Sequence, residues 1–368
     1  MKEARIEKVR KWMASAGLDA FIVTEPENRY YLSGFSAEDP IPSEISGFLL
    51  ITETELAILT DARYGEQAEG EAPDFDVLLY GNEGACETVA RVLAESGAKR
   101  CAFEDHHLSV ETFRAISDAL KEMGKSVEFV PARRCVEGMR AVKDEEEIEL
   151  IRESLQLTES VMEEVLHLLG KGLSERDIAW FTERRMRETG AEALAFPPIV
   201  ASGPRSALPH ASPTHRIPGL GEPVVIDIGA RKNRYCSDMT RTFFLGQIPR
   251  KWIERYKIVR EAQMAAQEAI KPGIMTDQVD RIARKIIEDA GYGDLFGHGL
   301  GHGVGLAVHE LPRLRKSSST MLEPNMIVTV EPGIYFKGEG GIRLENMVRV
   351  TEGGFEILNR KSLFILED

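Results

Sequence analysis

The chain is poor in cysteine, with only Cys86, Cys101, Cys135 and Cys236 among 368 residues and no C-x-x-C pair among them. A chain of this length buries a sizeable core without disulfide staples, so this usage fits reduced, mostly buried thiols and a cytoplasmic location. An uninterrupted apolar run near the roughly 20 residues of a membrane span is also missing, so no membrane association is expected. The opening residues MKEARIEKVRKWMASAGLDA mix charges throughout and lack the apolar centre of a secretory leader. Basic residues are in deficit, 46 Lys and Arg against 60 Asp and Glu, giving a formal charge of −14. Such a surface repels polyanions over most of its area, and nucleic acid is not an expected partner.

What is present is an ordinary soluble balance, 43% apolar and 29% charged, which excludes a disordered, collagen-like or disulfide-dense chain. At roughly 150 residues per domain the length predicts two or three domains. The first part alternates helical and strand signals. Residues 3–16 read as a helix stopped by Gly17, and LDAFIVT, LLIT, LAILT, VLLY (77–80) and VEFV (127–130) read as strands. Polar periodic stretches near 64–70, 86–96 and 109–122 read as helices, and the alternation predicts an α/β domain. Asp144-x-x-Glu147 has the form of a helix-start box, followed by Ile148, Ile151, Leu155, Met162, Val165 and Leu169 at helical spacing. The domain boundary is therefore placed around 132–140, giving domains of 1–135 and 136–368.

The second part carries a possible repeat. Gly172 and Gly190 are 18 residues apart, as are Gly273 and Gly291, with Ile178, Phe181 and Met186 matching Val279, Ile282 and Ile287 in offset. Two readings fit: two similar amphipathic helices by chance, or a duplicated α/β unit whose halves face each other across a cleft.

Two acidic pairs stand out. In VVIDIGARKNRYCSDMTRTFFLG, a two-residue turn at Lys232-Asn233 sets opposite each other residues whose numbers sum to 465, which pairs Asp227 with Asp238. Carboxylates that close raise each other's pKa unless a cation or proton lies between them. Taken alone, one Asp capping a turn explains the segment as well. Glu331, closing IVTVE, and Glu345, within GIRLENMVRV, are separated by the glycine-rich bend KGEGG. Exposed glutamates on a sheet edge are common, so this pair alone decides little.

The segment FGHGLGHGVGLAVHE holds His298, His302 and His309 among glycines that let backbone and imidazoles approach a shared centre. Glycine at this density would not hold a helix, which argues against a single zinc on a His-x₃-His helix. Its GxGxxG-like spacing has no helix start or downstream ribose acid to support a nucleotide site. Four carboxylates with one imidazole form an oxygen-rich donor set of charge −4, which two divalent cations neutralise. Such a set favours manganese, cobalt or zinc over copper. Two metals roughly 3.5–4 Å apart can share a hydroxide and acidify its parent water, which is hydrolytic machinery.

These residues resemble the pita-bread metallopeptidases, and within them the Xaa-Pro branch of aminopeptidase P and prolidase. NRYYLSGF (28–35) and LTDARYGEQA (59–68) are similar to the family's creatinase-type amino-terminal domain. IVASG, PHA, VVIDIGA, YCSDMTRT, GHGVGLAVHE, VEPGIY and GIRLEN follow in family order. The resemblance spans essentially the whole chain. It implies an α/β (α+β) architecture: a creatinase-like α/β domain, then a pseudo-twofold pita-bread catalytic domain.

By position, the resemblance implies five metal ligands. Asp227 would be a terminal ligand, Asp238 and Glu345 would bridge, and His302 and Glu331 would complete the second metal. It makes His309 the group that steadies the developing oxyanion, places His298 and His210 along the cleft, and makes Glu331 a proton shuttle. Arg343 would orient ligand carboxylates, Tyr335 would donate a hydrogen bond near the site, and Phe196 would line an apolar subsite. His106, His107, His167 and His215 have no family match and read as surface or packing residues. Cys236 reads as a buried structural thiol.

The activity implied is hydrolysis of the bond before proline in dipeptides or at the start of longer peptides. Two divalent ions, Mn²⁺ or Co²⁺ with Zn²⁺ as a third choice, would serve it, in a homodimer. A methionine-aminopeptidase-like or creatinase-like hydrolase and a non-enzymatic peptide-binding module are the other readings. The full ligand set disfavours metal-free creatinase chemistry, and the amino-terminal domain disfavours a minimal methionine aminopeptidase.

Overall fold

The computed structural model describes residues 2–39, 41 and 44–365. The chain divides into two units, residues 1–139 and 140–368. The first contains α1 (Lys2–Ala16), β1 (Ala20–Val23), α2 (Pro26–Ser33), β2 (Gly47–Thr52), β3 (Leu56–Thr60) and α3 (Gly65–Glu71). It continues through β4 (Asp76–Leu79), α4 (Ala85–Glu95), β5 (Arg100–Phe103), α5 (Val110–Glu122), β6 (Glu128–Pro131) and the start of α6 (Cys135–Ala141). Its six strands form one sheet in the order β4-β3-β2-β1-β5-β6. β1 is parallel to β5 and antiparallel to β2. All four residues of β1 are buried, as expected of a central strand covered on both faces.

One helix of this unit escaped the sequence reading. α2 buries Asn28, Arg29 and Ser33 alongside Tyr31 and Leu32, so polar residues interrupt its apolar face. Arg29, fully buried, donates to the carbonyls of Thr24, Ala37 and Gly47 and pairs with Asp39 at 2.8 Å. Polar burial compensated by backbone carbonyls is invisible to hydrophobic periodicity.

The second unit contains α7 (Glu145–Leu166), α8 (Glu175–Glu188), β7 (Ala193–Leu194), β8 (Ile199–Ser202), β9 (Pro223–Ile228) and β10 (Ala230–Lys232). Then come β11 (Tyr235–Cys236), β12 (Met239–Phe244), α9 (Arg250–Ala269), α10 (Thr276–Asp289), β13 (Gly301–Gly303) and β14 (Glu310–Leu314). The last strands are β15 (Ile327–Val330), β16 (Gly333–Phe336), β17 (Gly340–Arg343), β18 (Asn346–Thr351) and β19 (Gly354–Ile357). They assemble as β12-β9-β8, β11-β10-β7, β14-β13-β15-β18-β19 and the hairpin β16-β17. The Asp144–Glu147 box caps α7, each side chain satisfying the other's backbone N–H.

The glycine repeat has a structural counterpart. α8 begins three residues after Gly172 and ends two before Gly190; α10 begins three after Gly273 and ends two before Gly291. All four glycines are left-handed, with φ of 75°, 105°, 87° and 83°. Ile178, Met186, Val279 and Ile287 are all buried. Two helices of equal length, each flanked by left-handed glycines and each feeding antiparallel strands, match the duplicated unit of the pseudo-twofold architecture.

The turn between the aspartates differs from expectation. Asn233 (φ 49°) and Arg234 (φ 68°) form the connection, one residue beyond Lys232-Asn233. A two-residue hairpin turn with both central residues left-handed suits the twist of its strands, and Asn tolerates that conformation best here. Lys232 consequently pairs with Tyr235, and paired residues sum to 467. Thr240 stands opposite Asp227. Asp238, two residues earlier, shares the face of Thr240 and lies diagonal to Asp227, not opposite it.

Candidate metal centre

Three hairpins bring the acidic residues together. β9 and β12 present Asp227, Thr240 and, just before β12, Asp238. β13 carries His302. Val330 pairs with Asn346 and Gly333 with Arg343, each sum 676, so Glu331 faces Glu345 between the two ladders. Asp238, His302 and Glu345 are all buried and each offers a ligand atom within 4.8 Å of the others. His302 Nε2 lies 3.2 Å from Glu331 Oε1 and 3.5 Å from Asp238 Oδ2.

The surroundings fix each donor. The His302 N–H donates to Thr329 Oγ1 at 3.0 Å, and Thr329 Oγ1 donates to Glu331 Oε1 at 3.1 Å. The His302 Nδ1–H donates to the Gly303 carbonyl at 3.1 Å, which turns Nε2 toward the carboxylate oxygens. Thr240 Oγ1 donates to Glu345 Oε2 at 2.8 Å. Arg343, 3% exposed, donates to Asp227 Oδ2 at 2.6 Å, Thr240 Oγ1 at 3.1 Å, Tyr335 Oη at 3.0 Å and the Pro209 carbonyl at 3.0 Å. Arg343 thus touches Asp227 directly and Glu345 through Thr240.

The charges do not balance within the protein. Asp227, Asp238, Glu331 and Glu345 contribute −4, and Arg343 returns +1, leaving −4 + 1 = −3 before His302 is counted. Burial, then the neighbouring carboxylates, push Asp238 and Glu345 well above the usual carboxylate range. For Glu331 burial acts upward too, but the contact with His302 outweighs it and holds the group down at about 2. Asp227 Oδ1 and Glu345 Oε1 are buried without a hydrogen-bond partner. Orphaned carboxylate oxygens packed beside one another repel unless a cation lies between them, so this donor set fits divalent metal ions.

The remaining expected residues surround this centre. The His309 ring stands edge-on to His302 with centroids 4.4 Å apart. Desolvation, then His302 and Arg313, push the His309 imidazole down to about 4, so it is neutral near pH 7. His298 donates through Nδ1 to the Gly299 carbonyl at 2.8 Å and accepts at Nε2 from the Tyr335 hydroxyl at 2.9 Å. His210 is exposed and follows Pro209, whose carbonyl Arg343 holds. Phe196 is half-buried with its ring against Gly229, two residues from Asp227. Cys236 is buried, with its thiol directed at the Leu306 carbonyl 3.5 Å away.

Sequence reading missed Thr240, Thr329 and Arg241. Thr240 sits two residues after Asp238, and Thr329 two before Glu331, so alternation alone puts both hydroxyls beside carboxylates. Arg241 is buried and bonds the Glu345 carbonyl, Asn346 Oδ1 at 3.1 Å and the Ser362 carbonyl at 2.9 Å. A second acidic group lies in the first unit, where His106 Nε2 is 2.5 Å from Glu137 and 2.9 Å from Glu25. Hydrogen bonds to Glu137 and then Glu25 push His106 up to about 10, so a proton already occupies that group.

The buried donor set, its unbalanced charge and the imidazoles along its edge define a metal-dependent hydrolase. Residues 149–352 match the model of metallopeptidase family M24, and residues 5–142 match that of the creatinase/prolidase N-terminal domain. The chain belongs to this metallopeptidase family. It is 36% identical over 360 residues to the Xaa-Pro dipeptidase of Pyrococcus furiosus, covering 98% of each chain. Its fold is similar to the Xaa-Pro dipeptidase from Bacillus anthracis, with a TM-score of 0.92, 36% identity and 100% of both chains covered. It is also similar to the X-Pro aminopeptidase from Thermotoga maritima, with a TM-score of 0.84, 36% identity, and 95% and 97% covered. No helix of the described residues is long and apolar enough to cross a membrane.

Proposed function

We propose that this protein is a two-metal Xaa-Pro peptidase that hydrolyses the bond before proline. The observation that carries the reading is the convergence of Asp227, Asp238, His302, Glu331 and Glu345, with two buried carboxylate oxygens unpartnered and His302 Nε2 turned toward its acidic neighbours. The names of the relatives support the substrate class. Residues 1–135 form the creatinase-like part and residues 136–368 the catalytic part. Mn²⁺ or Co²⁺ are the favoured ions and Zn²⁺ the third choice. A cytoplasmic homodimer completes the proposal, on the strength of the family resemblance.

When bound by these five side chains, a pair of divalent cations supplies Lewis-acid polarisation and acidified water. The protein's own groups do the rest. His309, neutral with a ring N–H available, donates to the peptide carbonyl oxygen as negative charge develops there. Glu331, held ionised beside His302, takes a proton from the attacking water and returns it to the proline nitrogen as that bond breaks. His298 and Tyr335, bonded to each other, form one wall of the substrate site, with His210 and Phe196 on its rim. An X–Pro amide has no N–H, so selection falls to the shape of the proline ring and not to a donor on the scissile nitrogen.

Purified protein loaded with Mn²⁺ and given Ala-Pro, Ala-Pro-Ala and Met-Ala-Ser tests this. Turnover of Ala-Pro alone means a dipeptidase, and cleavage of Ala-Pro-Ala after alanine means an aminopeptidase. Turnover of Met-Ala-Ser alone replaces the proposal with a methionine aminopeptidase, and no turnover of any replaces it with a peptide-binding module.

A further inference from the structure

The connection from β13 to β14 carries His309 but has no polar side chain of its own over residues 303–308, GVGLAV. Side chains of this loop cannot fix its shape, so fastening comes from outside it. The Val304 N–H donates to the Ile327 carbonyl at 3.4 Å and the Cys236 thiol to the Leu306 carbonyl at 3.5 Å, and two shorter bonds fasten the loop further. The Cys236 N–H donates to the Gly305 carbonyl at 2.7 Å, and the Ala307 N–H donates to Glu310 Oε1 at 2.9 Å. A Cβ on Gly305 would lie 2.5 Å from Glu310 Oε2, so that carboxylate rests directly on the loop backbone.

Glu310 is itself held on two sides. It is 6% exposed and accepts from Arg140 Nη2 at Oε1 and from Lys143 Nζ at Oε2, the latter at 3.3 Å. Arg140 and Lys143 are 3% and 2% exposed. Glu310 follows His309 directly, and neighbouring side chains on extended backbone leave on opposite sides. His309 is exposed with its ring against His302, while Glu310 is buried against the two cations, and the two share one peptide group.

We infer that Glu310 is a positioning residue for His309, and that Arg140 and Lys143 form with it a buried clamp on this loop. The clamp sets the height of the His309 ring over His302 from the far side of the strand. It rests on the proposed function only for what His309 does in the reaction; the fastening of the loop is independent of substrate.

Glu310→Gln keeps an acceptor for Ala307 and removes the charge that holds Arg140 and Lys143. In the Mn²⁺-loaded protein, kcat for Ala-Pro falls between about 10- and 100-fold, since displacing a positioned group by an ångström costs about that much. KM stays within about twofold, and metal content per chain is unchanged, because none of the five ligands moves. The discriminating measurement is a double-mutant cycle with His309→Ala: once His309 is absent, Glu310→Gln causes no further loss of kcat. Independently of turnover, hydrogen–deuterium exchange of a peptide covering residues 303–310 is faster in Glu310→Gln than in the parent. Fully additive losses in the cycle, loss of metal, or unchanged exchange would overturn the clamp. A parent protein inactive on Ala-Pro refutes the Xaa-Pro reading instead, and the exchange measurement still decides the clamp. If Glu310→Gln does not fold, Lys143→Met, which leaves the Arg140 contact in place, is read in the same two ways.

Discussion

Replacing Asp238 with asparagine is expected to change stability in opposite directions with and without divalent cations. In the metal-free protein Asp238 and Glu345 present ligand atoms within 4.8 Å of each other, and at an effective dielectric near 20 two unit charges at that distance repel by about 3 kcal/mol. Part of this is already relieved by proton uptake, since both groups sit well above the ordinary carboxylate range. The gain left for asparagine at about pH 8 is therefore smaller, about 1–2 kcal/mol. For a unit of this size each kcal/mol moves the melting temperature by about 2–4 °C, so the chelated variant melts above the chelated parent by several degrees. The sign follows from linkage: carboxyls with raised folded values bind more protons folded than unfolded, so the metal-free parent loses stability as pH rises through those values. The gap accordingly narrows on acidification. Adding Mn²⁺ reverses the order, because only the parent keeps both sites; an ion at a hundred times its Kd adds about 2.7 kcal/mol. Scanning calorimetry of both proteins, with chelator and with Mn²⁺, measures all four values. A chelated variant less stable than the chelated parent would refute the reasoning, as would an order that Mn²⁺ fails to invert.

The other predictions concern separate parts of the molecule. His309→Ala should retain both metals and lose about 10²-fold in kcat, the scale of one oxyanion donor; elemental analysis showing lost metal would contradict its place beside the ligands. His106, pushed up to about 10 by Glu137 and Glu25, contributes stability that is complete below its ordinary 6.5 and lost as pH rises toward 10. His106→Gln should thus destabilise the first unit by about 1–3 kcal/mol near pH 6 and by almost nothing above pH 10, read by denaturant melts at both pH values. Gly301→Ala should cost more than about 3 kcal/mol or prevent folding, because a Cβ there would meet the Thr329 carbonyl oxygen at 1.9 Å. Soluble expression and thermal melting report it.

The parts legible in the sequence were those where one local rule decides. α7 announced itself by its capping box and spacing, and the strands of the first unit by short apolar runs between turn signals. The four left-handed glycines marked the repeat because no other residue takes that conformation as cheaply. The aspartate hairpin was misplaced by one residue, since the choice of turn depends on which pair of residues accepts two left-handed conformations, and Asn233-Arg234 carries no glycine to mark it. α2 was missed because it is short and polar residues take up three of its five buried positions. Glu310 and Arg241 were invisible for another reason: their partners lie 170 and 104 residues away, and no local pattern reports a pairing of that range.

The equal-length glycine-bounded helices mark two halves of the catalytic part, and the proposed ligands are shared unequally between them. Asp227 and Asp238 come from the half that follows α8; His302, Glu331 and Glu345 come from the half that follows α10. If the five side chains hold metal as proposed, neither half alone would own a complete coordination sphere, and bound ions would rivet the two halves together.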